Sequence, residues 1–130
     1  MLGETDVIAT IGVKDLDVAR AFYVDKLGLR DVGAVADHLL ELRSGISRVF
    51  VYISEFAGTN RATAVTWAVI DVDAMVATLR EKGVTFEHYD EPGMTREGDV
   101  HMIRMPDGQE IRNAWCKDPD GNILSIVNGG

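Results

Sequence analysis

Apolar residues follow two rhythms along this chain, and the rhythms come in the same order twice. Val7 to Val13 is an apolar, β-branched run, the pattern of a strand. Asp15 follows as an N-cap, since its carboxylate can accept from the free N–H groups of a first helical turn. Leu16, Ala19, Tyr23 and Leu27 then recur at helical spacing with Phe22 beside them, and Lys26 and Gly28 supply a stop signal. Three further strands are predicted over 30–36, 38–43 and 47–54, with turns at Asp37 and Ser44-Gly45. From Thr63 the order begins again. Thr63 to Ile70 predicts a strand, and Asp71 caps a helix carrying Val72, Met75, Val76 and Leu79 on one face. Lys82-Gly83 ends it. Strands follow over 84–89, 100–105, 109–116 and 123–127, with Pro106-Asp107-Gly108 and Asp118-Pro119-Asp120-Gly121-Asn122 as turns.

The repeat is visible in the residues themselves. Val13-Lys14-Asp15-Leu16-Asp17 and Val69-Ile70-Asp71-Val72-Asp73 stand 56 positions apart and occupy the same junction of strand and helix. One domain is expected, built of a first module over about 5–54, a connector over about 55–61 and a second module over about 62–130. Each module reads β-α-β-β-β, which makes the fold class α+β. A sheet with one helix on one side leaves its other side uncovered. Two such sheets are expected to form a curved mixed sheet around a cavity.

Composition narrows the class of partner. The 130 residues carry 13 Lys and Arg against 21 Asp and Glu, a formal charge of -8. That balance argues against nucleic acid and anionic membranes as partners. With one cysteine, Cys116, there is no intramolecular disulfide and no cysteine-rich metal site; burial as a small apolar residue is its expected role. The N-terminal residues lack the pattern of a signal peptide, and no apolar run reaches the ~20 residues needed to span a bilayer. A cytoplasmic protein is expected.

Two stretches resemble one known group. Ile11-Gly12-Val13-Lys14-Asp15-Leu16 with Phe22-Tyr23 and Leu27-Gly28-Leu29 resembles the opening module of the glyoxalase, bleomycin-resistance and extradiol-dioxygenase group, the vicinal oxygen chelate superfamily. Ala114-Trp115-Cys116-Lys117-Asp118-Pro119-Asp120-Gly121-Asn122-Ile123-Leu124 resembles its closing signature. The resemblance implies the two-module fold and, in the metalloenzymes of the group, a divalent ion held by His and Glu in the first and last strand of each module. By motif spacing those positions are Ile8, Ala64, Phe50 (or Tyr52) and Ser125 here. Three cannot donate to a metal and the fourth is a weak neutral ligand, so no metal and no other cofactor is expected. The histidines His38, His88 and His101 fall at none of these positions, and each is expected on a surface or rim. A shifted His101–Glu110 pair across a hairpin would supply only two ligands, too few for a metal site.

Strand alternation then gives what faces the expected cavity. With Ile8 and Ala64 go Thr10, Gly12, Thr66 and Ala68; with Ser125 go Ile123 and Val127; with Phe50 goes Tyr52. Ile11, Val13, Val65, Trp67, Val69, Leu124 and Ile126 are expected to pack on the helices. The predicted ligand set is Ile8, Thr10, Phe50, Tyr52, Ala64, Thr66, Trp115 and Ser125, an apolar and aromatic lining with a few hydroxyls. The run 91–98 is expected as a polar loop and candidate lid with hinges at Gly93 and Gly98, and Arg96, His101, Arg104 and Glu110 as a rim beside it.

The functional expectation is metal-independent binding of a small hydrophobic or aromatic molecule, such as sequestration of an antibiotic or metabolite, by a homodimer. The alternative is a lyase, isomerase or dioxygenase-like enzyme acting on a small oxygenated substrate, with His101, Glu110 and Tyr52 as the candidate catalytic groups.

Overall fold

The computed structural model describes residues 1–129. It divides into two compact units. One comprises Met1–Thr59 with Pro119–Asn122, the other, among the described residues, 60–118 with 123–129.

In unit 1 a short 3-10 turn, Leu2–Glu4, precedes β1 (Ala9–Val13) and α1 (Leu16–Arg20). Asp15 Oδ1 accepts from the N–H groups of Asp17 at 2.8 Å and Val18 at 3.0 Å. The helix runs on through a π-helical turn, Ala21–Lys26, that buries Phe22 and Tyr23 with ring centroids 5.1 Å apart. Then come β2 (Arg30–Ala36), β3 (Leu39–Ser44) and β4 (Ser47–Ile53), in the order β1-β4-β3-β2, with β1 parallel to β4 and the others antiparallel. Alternation puts Ile11, Val13, Leu40, Leu42, Val49 and Val51 on the buried, helix-packed side. The predicted first strand starts two residues late, because Val7 is exposed and has no ladder partner.

The turn Pro119–Asn122 belongs to this unit. Asp120 Oδ2 accepts from the Lys14 N–H at 3.1 Å, and Asn122 donates to the Gly12 carbonyl at 2.8 Å. Gly58 must be glycine here: its φ is +72°, and a Cβ would lie 1.8 Å from the Asp120 carbonyl oxygen.

Unit 2 contains β5 (Thr63–Val69), α2 (Val72–Glu81), β6 (Phe86–Glu87), β7 (Thr95–Glu97), β8 (Val100–Arg104), β9 (Glu110–Lys117) and β10 (Ile123–Asn128). Asp71 caps α2 by accepting from the Ala74 N–H at 3.0 Å. The sheet order is β5-β10-β9-β8-β7, with β6 also on β9. Val72, Val76 and Leu79 of α2 are buried, as are Ala114, Cys116, Leu124 and Ile126 of the strands. Arg112 fixes the helix side further, reaching Asp73 of α2 at 2.8 Å and Glu110 at 2.7 Å.

Two expectations change here. The predicted strand over 84–89 shrinks to the two residues of β6. The run 91–98 is not a plain loop: Thr95–Glu97 pairs antiparallel with β8 and forms a hairpin. Among the described residues no helix is long and apolar enough to cross a membrane.

Candidate functional site

Each sheet has a side its helix leaves uncovered, and the register says what stands there. In unit 2, Thr66 lies opposite Ser125, Ser125 opposite Trp115, and Trp115 opposite Glu87. One step along, His101 lies opposite Asn113. Cross-strand partners point the same way, so Thr66, Ser125, Trp115, Asn113 and His101 share the helix-free side.

The centre of this side is aromatic. The Trp115 ring stands edge-on to His101 at 4.9 Å and to Tyr89 at 5.4 Å, while Tyr89 and His101 stack at 6.3 Å. Ser125 Oγ donates to Asn113 Oδ1 at 3.1 Å. His101 is 1 % exposed, so the expectation of a rim histidine is wrong for it; His38 and His88 are exposed. The reason is register. Position 101 sits in β8 against β9, where Tyr89 and Trp115 cover its ring. Nor does His101 face Glu110, whose cross-strand partner is Arg104.

His101 is a neutral imidazole of defined tautomer. The Tyr89 N–H donates to its Nε2 at 2.9 Å, which leaves the proton on Nδ1. Burial pushes its pKa below 6.5. The Asn113 backbone opposes this, without making a hydrogen bond of good geometry to Nδ1. Both His101 Nδ1 and the Tyr89 hydroxyl are buried without a partner. Burial, then the charge of Glu87, raises the Tyr89 phenol above 10, so it too remains a donor. A buried donor without an acceptor costs about 1–3 kcal/mol, and two such donors stand beside one aromatic wall.

Charged pairs border this cluster. His88 Nε2 is 2.7 Å from Asp99 Oδ1, and Arg80 reaches the other Asp99 oxygen at 3.3 Å. Arg96, expected on a polar rim, pairs with Asp90 at 2.8 Å and lowers that carboxyl's pKa. Cys116 is buried on the helix side, where burial pushes its thiol up to about 12, so it is no nucleophile at neutral pH.

In unit 1 the helix-free side is different. Thr10 lies opposite Phe50, and Phe50 opposite Glu41; Gly12 lies opposite Tyr52. Glu41 is 9 % exposed and takes a two-pronged contact from Arg48, at 3.2 Å on each oxygen, plus Arg43 at 3.4 Å. The Arg48 guanidinium lies 5.1 Å from the Phe50 ring centroid. Arg48 holds the Glu41 carboxyl below its usual 4.5. Ile8 lies just before β1 with its carbonyl accepting from Thr10, and Ala64 falls at the register shift where β5 meets β10.

The predicted ligand set is therefore split. Thr66, Trp115 and Ser125 stand on the helix-free side of unit 2; Thr10, Phe50 and Tyr52 stand on that of unit 1. Tyr89, Asn113, Glu41 and Arg48 were missing from it, because none has a motif and each is placed by cross-strand register alone.

A family model of the glyoxalase/bleomycin resistance protein/dioxygenase superfamily matches residues 6–126. The chain belongs to that superfamily. Solved structures agree on the fold. A lactoylglutathione lyase from Agrobacterium tumefaciens is 19% identical with a TM-score of 0.69, covering 97% of this chain and 94% of its own. A glyoxalase family protein from Enterococcus faecalis is 19% identical at TM-score 0.70, over 98% and 99%. A genomically encoded fosfomycin resistance protein from Listeria monocytogenes is 12% identical at TM-score 0.68, over 98% and 94%. No curated protein matches. The superfamily's metal does not fit the residues present. Ile8, Ala64 and Phe50 offer no donor atom, and among the described residues no three His, Cys, Asp or Glu side chains gather where they could hold an ion.

Proposed function

We propose that this superfamily member binds a small hydrophobic or aromatic molecule, independently of metal, on the helix-free side of unit 2. One observation carries the reading: the two partnerless buried donors, His101 Nδ1 and the Tyr89 hydroxyl, beside the Trp115 ring. An aromatic ligand with a hydrogen-bond acceptor satisfies a donor and stacks against the indole at once. Tyr89 lies just past the two-residue β6, held by its N–H bond to His101. A swing of its ring is the natural entry movement. A cytoplasmic homodimer sequestering an antibiotic or metabolite completes the proposal.

The test uses Trp67→Phe protein, in which Trp115 is the remaining tryptophan. Titration with 1-naphthol is expected to quench its fluorescence saturably, with or without EDTA. Tyr89→Phe or His101→Gln weakens binding about tenfold if the donor is used. Quenching that needs added metal, or binding that calorimetry finds at full strength in Trp115→Leu, contradicts the proposal.

A second reading, a lyase or isomerase, draws on the His88–Asp99 pair, where the carboxylate orients a ring whose Nδ1 is left to accept a proton. Turnover of an α-keto hemithioacetal that disappears in His88→Ala supports it; the absence of turnover removes it. Glu110 and Tyr52 have no comparable arrangement: Glu110 is engaged by Arg112, and Tyr52 lies on unit 1.

A further inference from the structure

Three arginines stand in one transverse row of unit 1. Arg30 of β2 lies directly opposite Arg43 of β3, and Arg43 lies directly opposite Arg48 of β4. Direct cross-strand partners share a face, here the helix-free side that also carries Glu41 and Phe50. Like charges opposed in this way destabilise a sheet. Among the described residues one carboxylate, Glu41, serves as ion-pair partner to this row, through Arg48 and Arg43. The chain does not lack acids, with 21 Asp and Glu to 13 Lys and Arg. Two positive charges of the row are left uncompensated.

The guanidiniums are also held in place. Arg30 Nη2 donates to the Gly45 carbonyl at 2.8 Å. Arg48 is fixed by its two bonds to Glu41 and by Phe50. Arg43 Nε lies 3.4 Å from a Glu41 oxygen. The Arg43 and Arg48 side chains remain 41% and 43% exposed. Donors fixed in advance and open to solvent cost little entropy when an anion arrives.

We infer that this row is a binding site for a small organic carboxylate. Three adjacent strands span about 10 Å at the spacing of a sheet, the width of a small molecule and not of a polymer's backbone. The row already accepts one planar carboxylate in a two-pronged geometry, that of Glu41, which is the match guanidinium forks favour. Phe50 and Tyr52, on the same side of β4, give an organic body apolar surface that inorganic phosphate cannot use. The inference stands apart from the proposed function of unit 2 and survives its failure.

Benzoate is the probe, with benzyl alcohol as its uncharged counterpart and inorganic phosphate as an anion without an apolar body. Binding is followed at the arginine Nε–H signals by NMR, at constant ionic strength. Benzoate is expected to shift the Arg30 and Arg43 signals saturably and more tightly than phosphate, while benzyl alcohol leaves them in place. Arg43→Gln weakens benzoate about tenfold and leaves the melting temperature about unchanged, since the like-charge contacts it removes offset the lost contact with Glu41. Arg30→Gln, measured the same way, replaces it if Arg43→Gln does not fold. Phosphate binding as tightly as benzoate overturns the carboxylate assignment. Unshifted arginine signals, equal shifts with benzyl alcohol, or lowered melting temperatures in both variants with benzoate affinity retained overturn the site.

Discussion

The two units begin from the same strand-to-helix junction and end with opposite chemistry on their uncovered sides. In unit 1 that side is charged, with Arg30, Arg43 and Arg48 around Glu41 and Phe50 as the ring beneath one guanidinium. In unit 2 its centre is aromatic, with Trp115, Tyr89 and His101 and two donors that lack acceptors, and the charges beside it are paired, Glu87 with Lys117 and Arg96 with Asp90. The helix-packed sides differ less: the buried strand positions are mainly aliphatic in both, although unit 2 adds the Arg112–Asp73 ion pair, and both helices are capped by an aspartate in the same position of the repeat. The fold constrains the side a helix covers and leaves the other free to diverge, so chemistry collects there.

The largest effects should fall on the shared side and be equal in the two units. Leu42→Ala and Leu124→Ala each empty a fully buried site and are expected to cost about 2–5 kcal/mol by chemical denaturation. A large inequality would mean that one unit carries the stability alone. Removing the caps by Asp15→Ala and Asp71→Ala should cost about 1 kcal/mol each, again in parallel.

The uncovered sides should separate by pH. Glu41 titrates below its ordinary 4.5 in the folded chain, so its contribution is full above that value and is lost as pH falls through the lowered one. Melting temperature should therefore drop in the acid range, and Glu41→Gln should flatten that drop while lowering stability at neutral pH. His101 also titrates below its ordinary value of 6.5, by burial, with the Asn113 backbone and Asp90 opposing and Arg96 and His88 assisting. Its contribution is complete above 6.5 and is lost as pH falls through the folded value, because protonation of Nε2 breaks the bond from the Tyr89 N–H. As pH falls below 6.5 the wild type should lose stability more steeply than His101→Gln. Equal slopes would show that His101 is not the group responsible. The smallest effect is expected at Thr66, where Thr66→Ala removes an exposed hydroxyl beside Ser125 and should leave stability within about 0.5 kcal/mol.

Much of the fold was legible because it is written in local terms. Asp15 and Asp71 announce their helices by residue type and position, and the strand predicted over 47–54 announces itself by its run of β-branched and aromatic residues. What escaped was either too short or too polar to have a rhythm. Thr95-Arg96-Glu97 is exposed throughout and becomes a strand only because β8 offers it a partner. Phe86 and Glu87 are all that pairs of the longer strand expected over 84–89. The site was half legible for a related reason. Thr66 could be placed by period-two alternation from Ala64, Ser125 by motif spacing, and Trp115 by its strand ahead of the closing turn. Which residues oppose them depends on register, a long-range property, and so Tyr89, Asn113 and the arginine row stayed out of sight. Burial of His101 was likewise set by neighbours distant in sequence.

Metal-free capture on the aromatic side of unit 2 can be decided by one NMR titration of the Trp67→Phe protein, recorded with 1-naphthol in the presence of EDTA and read at the Trp115 indole N–H. A saturable shift is expected there, lost when Tyr89→Phe and His101→Gln are combined. A Trp115 signal that stays in place until a divalent metal is added would rule metal-free capture out.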